Sequence, residues 1–236
     1  MRVEVWSDYQ CPFCYIGKRR FEKALSQFAH QSEVEVEFKS FELDPDAKRD
    51  MGMNIHEMLA KKYGTSVEQA KEMSANVISQ AKGEGLDYHF DTMIPTNTFD
   101  AHRLMQFAAA KGKENEMNET LFHAYFTESQ HIGDQETLAS LAEQVGLDKT
   151  EVTGMLASDQ FTEEVRADES EGSQLGITGV PFFVINRKYG VSGAQPTELF
   201  LETLNKVWTE ENPLQILNEA STDNSCTDGS CAVPEK

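Results

Sequence analysis

Two cysteines three positions apart, in the run Cys11-Pro12-Phe13-Cys14, carry the most specific chemistry in this chain. Pro12 suits the first turn of a helix, because its missing N–H is one the helix would leave unpaired. A sulfur at that helix start faces free N–H groups and the positive end of the macrodipole. Both favour an anion, so Cys11 is expected to act as the nucleophilic thiolate. Cys14 lies one turn further on, within reach of a mixed disulfide formed on Cys11, and reads as the resolving thiol. A structural disulfide and half of a zinc site are the competing readings of Cys-x-x-Cys. Asp8, three positions before Cys11, reads either as a proton relay for the thiols or as a solvated or capping carboxylate.

The elements that must hold this pair are legible on either side of it. Arg2 to Trp6 alternates polar and apolar and predicts a strand. Ile16, Phe21, Leu25 and Phe28 recur near helical spacing and predict a helix from about Pro12 to about His30. Val34, Val36 and Phe38 alternate on a second strand. A β-α-β start with a crossover of this length favours parallel pairing. From about Asn54 to about Leu175 the chain is rich in helix formers, broken by Gly or Pro near residues 85, 95, 112, 133 and 146. This predicts a block of seven helices, with a loop over 86–95. Phe182 to Ile185 then reads as a buried strand, residues 189–192 as its hairpin partner, and residues 197–209 as a closing helix. The expected architecture is α/β: a mixed sheet with a large all-helical insertion between its two halves. Its expected boundaries are 1–48, 49–158, 159–212, and a C-terminal extension over 213–236.

Composition narrows the function. With 40 acidic and 21 basic side chains the formal net charge is -19. Such a surface repels phosphate backbones, so no nucleic-acid partner is expected. No apolar run is long enough for a membrane helix. The N-terminus lacks the apolar stretch of a secretory signal, so the cytoplasm is the expected location. The four cysteines fall in two close pairs in a chain large enough to bury its own core. In a reducing compartment that pattern points to redox or metal chemistry, not to structural staples.

Longer motifs go beyond these local readings. The segment from Trp6 to Lys18 resembles the start of DsbA-like thioredoxin-fold proteins of the FrnE type. So do Pro95 to Thr98 with Ala101 to Leu104, Leu121 with Ala124 to Phe126, Gly176 to Pro181, and Ser192 to Pro196. The resemblance implies a thioredoxin-like fold with an inserted helical domain, and a cis Val180-Pro181 peptide facing the cysteine pair. A cis proline turns the chain tightly, leaving the Val180 backbone open to an extended substrate segment. Phe13, Gly179, Val180 and Gln195 are expected at the substrate, and Pro181 within the catalytic constellation. His102 and Asn97 read as structural or pocket-lining.

The implied activity is that of a thiol–disulfide oxidoreductase or isomerase acting on protein or small-molecule disulfides without a bound cofactor or metal, glutathione being a candidate co-substrate. Its expected partners are a disulfide- or thiol-bearing protein or peptide and a reductant such as thioredoxin or a glutathione-like thiol. A homodimer is a candidate assembly. Cys226 and Cys231 enclose four small or polar residues, and some FrnE-like proteins carry a similar pair. They read either as an auxiliary dithiol exchanging with Cys11 and Cys14 or as an inert pair. Two other classes remain open: a glutathione-dependent isomerase of the 2-hydroxychromene-2-carboxylate type, in which serine commonly stands at the position of Cys11, and a redox-regulated chaperone or zinc-binding module. Phe13 brings no positive charge to the thiolate, where a histidine would. The disulfide is therefore expected to be less oxidising than that of a Cys-Pro-His-Cys site. A redox titration checks this; a potential as high as that of the strongly oxidising relatives contradicts it.

Overall fold

A computed structural model describes residues 1–213. Cys226, Cys231 and nearly all of the expected extension lie outside them. Four strands form one sheet in the order β2-β1-β3-β4, where β1 is Arg2–Ser7, β2 Glu35–Ser40, β3 Phe182–Ile185 and β4 Tyr189–Ser192. β1 runs parallel to β2 and antiparallel to β3, with Val5 opposite Phe38 on one side and Phe183 on the other. β3 and β4 make the expected hairpin. The mixed sheet follows directly from the alternation read in the sequence.

Both faces of the sheet are covered, which is why β1 is buried along almost its whole length. On one face Val3, Val5, Phe183 and Ile185 pack under helix α1, Pro12–Gln27, and helix α9, Thr197–Glu211, through Phe21, Phe200 and Leu204. On the other face Trp6 and Val184 cluster with Ile177. There helix α8, Thr162–Gln174, lies flat against Trp6, whose indole N–H donates to the Asp168 carbonyl at 2.8 Å. The contact is close enough that a Cβ on Gly172 would stand 2.8 Å from that indole nitrogen. The outer edge of β2 is sealed by carboxylates. Glu114 accepts from the Phe38 N–H at 2.7 Å and Asp168 from the Ser40 N–H at 2.9 Å.

Seven helices separate the two halves of the sheet: α8 and, before it, α2 Ile55–Tyr63, α3 Val67–Gly83, α4 Phe99–Ala110, α5 Glu114–Phe126, α6 Gln135–Gln144 and α7 Lys149–Leu156. Their starts follow from side chains that satisfy free N–H groups. Asn54 and Ser66 form capping boxes, and Asp134 and Asp148 cap α6 and α7. One hydrophobic cluster links buried side chains of this helical block to those of the sheet and α1. No helix among the described residues is long and apolar enough to cross a membrane. One expectation needs correction. α1 ends at Gln27, short of His30, because Phe28 turns extended to pack edge-on against Trp208, on which the His30 ring stacks at 4.0 Å.

α1 is bolted to α5 by an ion cluster around Glu119. Its carboxylate accepts from Lys18 at 2.6 Å, from the Tyr15 hydroxyl, and from the Arg19 guanidinium. Burial alone would raise the Glu119 pKa, but Arg19 and Lys18 hold it down to about 2 from an ordinary 4.5. A depressed carboxyl stabilises the fold above its unfolded pKa, and the contribution is lost as pH falls through the folded value. The window is therefore about pH 4.5 to 2. After discounting for solvent screening, Glu119→Gln should cost about 1–2 kcal/mol at neutral pH and almost nothing near pH 2. Urea unfolding at the two pH values checks this; an equal loss at both would assign the effect to packing.

Candidate active site

The strand β1 delivers the chain to the cysteine pair, and Cys11 is the N-cap residue of α1 with Pro12 in the first turn. Cys11 N–H donates to the Asp8 carbonyl at 3.0 Å, and Cys14 N–H to the Cys11 carbonyl at 3.0 Å. No acidic side chain sits in the first turn to compete with an anion at its positive end. The pair is held as two free thiols. The Cys11 thiol points across the gap to the loop before β3, donating to the Val180 carbonyl at 3.5 Å. That loop carries the cis Val180-Pro181 bond expected from the resemblance. α1 approaches it so closely that a Cβ on Gly17 would stand 3.0 Å from Pro181 Cγ. Cys11, Cys14, Val180 and Pro181 are thus brought together.

The two sulfurs differ. Both are largely buried, Cys11 at 5% exposure and Cys14 at 2%, but Cys11 lines a cleft and Cys14 does not. Burial pushes the Cys14 thiol well above its ordinary pKa, and the neighbouring Cys11 sulfur adds to this; contacts with the Asp8 backbone and the Ser7 hydroxyl work weakly the other way. Cys14 therefore keeps its proton at neutral pH until a reaction at Cys11 calls for it.

Asp8 sits beneath the pair, fully buried. Burial would raise its pKa, yet the carboxyl is held below the usual range by His102, with help from the Leu43 N–H and the Thr98 hydroxyl. Leu43 N–H donates to it at 2.7 Å, Thr98 at 2.8 Å, and Gln10 through both backbone and side chain, at 3.3 and 3.0 Å. The His102 ring nitrogen is at 3.5 Å, and the ring packs tilted against Tyr9. None of the hydrogen bonds of this carboxylate goes to a sulfur. The solvated or capping reading of Asp8 needs correction, because the carboxylate is fully buried and caps no helix: it is an ionised anchor that ties the end of β1 to the loop after β2 and to the start of α4. Asn97 is structural as well, donating to Glu42 at 3.2 Å and accepting from Phe99 N–H at 2.9 Å.

Beside Cys11 lies a cleft of about 310 Å³. Gln10, Cys11, Pro12, Phe13 and Val180 form the end nearest the sulfur. Ile55, Met58, Leu59, Met73 and Val77 of α2 and α3 form one wall, and Phe90, Met93 and Phe126 the other. His56 ties the walls together, its Nε2 at 2.9 Å from Asp91 and its Nδ1 at 3.4 Å from the Ser74 hydroxyl. Tyr88 braces the first turn of α1 by donating to the Pro12 carbonyl at 2.8 Å, and stacks on Phe126.

Phe13 and Val180 are therefore placed at the cleft as expected. Gln195 is not. The turn at Gly193, with φ of 81°, folds Gln195 back so that its side chain donates to the Ser192 carbonyl at 2.7 Å, in a separate depression along β4. Gly179 adjoins Val180 but is not part of the cleft wall. Sequence reasoning missed Gln10, Tyr88 and the apolar walls. A surplus of methionines around residues 51–93 was the one available signal.

Comparisons with known proteins agree with this arrangement. A family model described as a DSBA-like thioredoxin domain matches residues 2–205. The crystal structure of a probable DsbA oxidoreductase, SCO1869 from Streptomyces coelicolor, superposes with a TM-score of 0.86 at 44% identity, covering 100% of both chains. The protein YwbO of Bacillus subtilis (strain 168), described as uncharacterized, is 31% identical over 85% of this chain and 94% of its own. A 2-hydroxychromene-2-carboxylate isomerase shares the fold at 13% identity, with a TM-score of 0.68 over 89% of this chain and 98% of its own. A dithiol at a helix start, a facing cis proline and a match over nearly the whole described chain lead to one conclusion: the chain belongs to the DsbA-like thioredoxin family of oxidoreductases.

Proposed function

We propose that this protein is a cytoplasmic thiol–disulfide oxidoreductase and isomerase acting on protein or peptide disulfides by exchange at Cys11 and Cys14. The observation that supports this reading best is the asymmetry of the pair: Cys11 lines the cleft at the N-terminus of α1, and Cys14 is buried behind it and kept protonated. In the first exchange the Cys11 thiolate attacks one sulfur of a substrate disulfide. A bond from Cys11 to substrate sulfur forms, the substrate disulfide breaks, and the released thiolate takes up a proton. In the second exchange Cys14 gives up its proton and attacks the Cys11 sulfur. The Cys11–Cys14 disulfide forms and the second substrate thiol leaves. The substrate gains two electrons and the protein dithiol loses them. A thioredoxin- or glutathione-like thiol restores the dithiol, and the same exchanges in reverse oxidise a dithiol substrate. When the mixed disulfide is attacked by a second substrate thiol instead of Cys14, the outcome is isomerisation.

Cys226 and Cys231 extend the proposal to a second dithiol that passes electrons to or from Cys11 and Cys14. The glutathione-dependent isomerase reading fits less well. A serine commonly replaces the first cysteine in those enzymes, and the likeness in hand to one of them is a likeness of fold.

Mutation of each cysteine separates these roles. Cys11→Ser should lower insulin reduction by roughly three orders of magnitude or more. Cys14→Ser should accumulate a mixed disulfide on Cys11, visible by mass spectrometry, while retaining refolding of scrambled ribonuclease. A Cys11→Ser protein that still turns over disulfides sinks the proposal, as does a Cys14→Ser protein that never traps substrate.

A further inference from the structure

The cleft beside Cys11 has one feature that the exchange chemistry does not use. Its walls are apolar, and its rim is left open: Phe13 is 37% exposed, Met73 41% and Tyr63 55%. Among its lining residues there is no carboxylate, in a chain with 40 acidic side chains. There is one cation, Lys62, in the last turn of α2. Most cations of the described chain are engaged with carboxylates; Lys62 is one of seven lysines, with Lys23, Lys48, Lys61, Lys71, Lys82 and Lys206, that have no ion-pair partner among the described residues. Lys62 also lines the adjoining depression, together with Lys61 and Asp44, and is the one charged side chain lining the cleft that holds Cys11. Three methionines, Met58, Met73 and Met93, line the same cleft. Thioether side chains adapt to varied apolar shapes, so they select for apolar bulk more than for one particular side chain.

We infer that the cleft selects its substrate: a peptide disulfide whose reacting cysteine is flanked by a large apolar side chain, seated among the methionines, and then by a carboxylate that meets Lys62. This rests on the exchange reading of Cys11 and adds a recognition rule to it. The charge argument is physical. A protein of this net charge repels acidic peptides at long range. Inside this cleft the one charged side chain of the lining is Lys62, so the local field there favours a carboxylate. The carboxylate meets Lys62 at the edge of a low-dielectric trough, where a charge pair is stronger than in open solvent.

The test uses the full chain and matched peptide disulfides in which the cysteine is followed by Leu-Glu, Leu-Lys or Ser-Glu. Reduction of neutral hydroxyethyl disulfide by the unmutated protein is measured alongside. The Leu-Glu peptide should show a kcat/KM about three- to ten-fold above Leu-Lys, and also above Ser-Glu. Lys62→Glu, an exposed position whose change leaves the core untouched, should reverse the Glu-over-Lys order, and Lys62→Gln should abolish it. Raising the salt to about 0.5 M should flatten the charge preference while leaving the Leu-over-Ser preference in place. Equal kcat/KM for the Glu and Lys peptides overturns the inference, and so does an unchanged order in Lys62→Glu. If hydroxyethyl disulfide is turned over without any charge discrimination among peptides, only the recognition rule fails. If hydroxyethyl disulfide is not turned over at all, the exchange reading fails and the recognition rule falls with it.

Discussion

The site depends on a carboxylate that has no water around it. Asp8 is fully buried at the end of β1, and a buried charge is tolerable only where donors surround it. Its donors come from three places in the chain: Gln10 beside it, Leu43 after β2, and Thr98 at the start of α4, where the His102 ring also comes within 3.5 Å. Satisfying that one group fixes how the sheet, the loop after β2 and the helical block meet. The backbone carbonyl of the same residue then receives the Cys11 N–H and sets the first turn of α1. The reactive thiols are placed by this anchor from below and by the Val180-Pro181 loop from the front.

Upon this frame the chemistry needs little more than asymmetry. Both sulfurs belong to one helical turn, but one opens on a cleft and the other is shut behind it, with its proton retained by burial. A pair of equally accessible thiols would compete for the same substrate sulfur. Here the order of events is built into the position of the helix start. The aromatic stack of Tyr15, Phe122, Tyr88 and Phe126 holds that start against the helical block, and the Glu119 cluster, which includes the Tyr15 hydroxyl, fastens α1 to the same helix α5.

Much of this was legible in the residues. The period-two alternation of Val3, Val5 and Trp6 and the helical spacing of Ile16 and Phe21 identify β1 and α1. The capping residues Asn54, Ser66, Asp134 and Asp148 fix helix starts because capping is local chemistry. The end of α1 was misjudged because a tertiary contact, Phe28 on Trp208, overrides local periodicity. Asp8 was undecided between two roles since its donors lie as far away as Thr98. Gln195 was placed at the substrate by motif, whereas its turn carries it to the edge of β4. The cleft walls were invisible for the same reason as the donors of Asp8: Leu43, Ile55, Met73, Phe90 and Phe126 meet only once the chain is folded.

The account stands or falls on the unequal reach of the two thiols. Limited alkylation of the fully reduced native protein, followed by peptide mass mapping over time, reads that directly. Cys11 should be modified first, with Cys14 protected until the protein is unfolded. Modification of Cys14 at an equal or greater rate than Cys11 in the native protein would contradict the account.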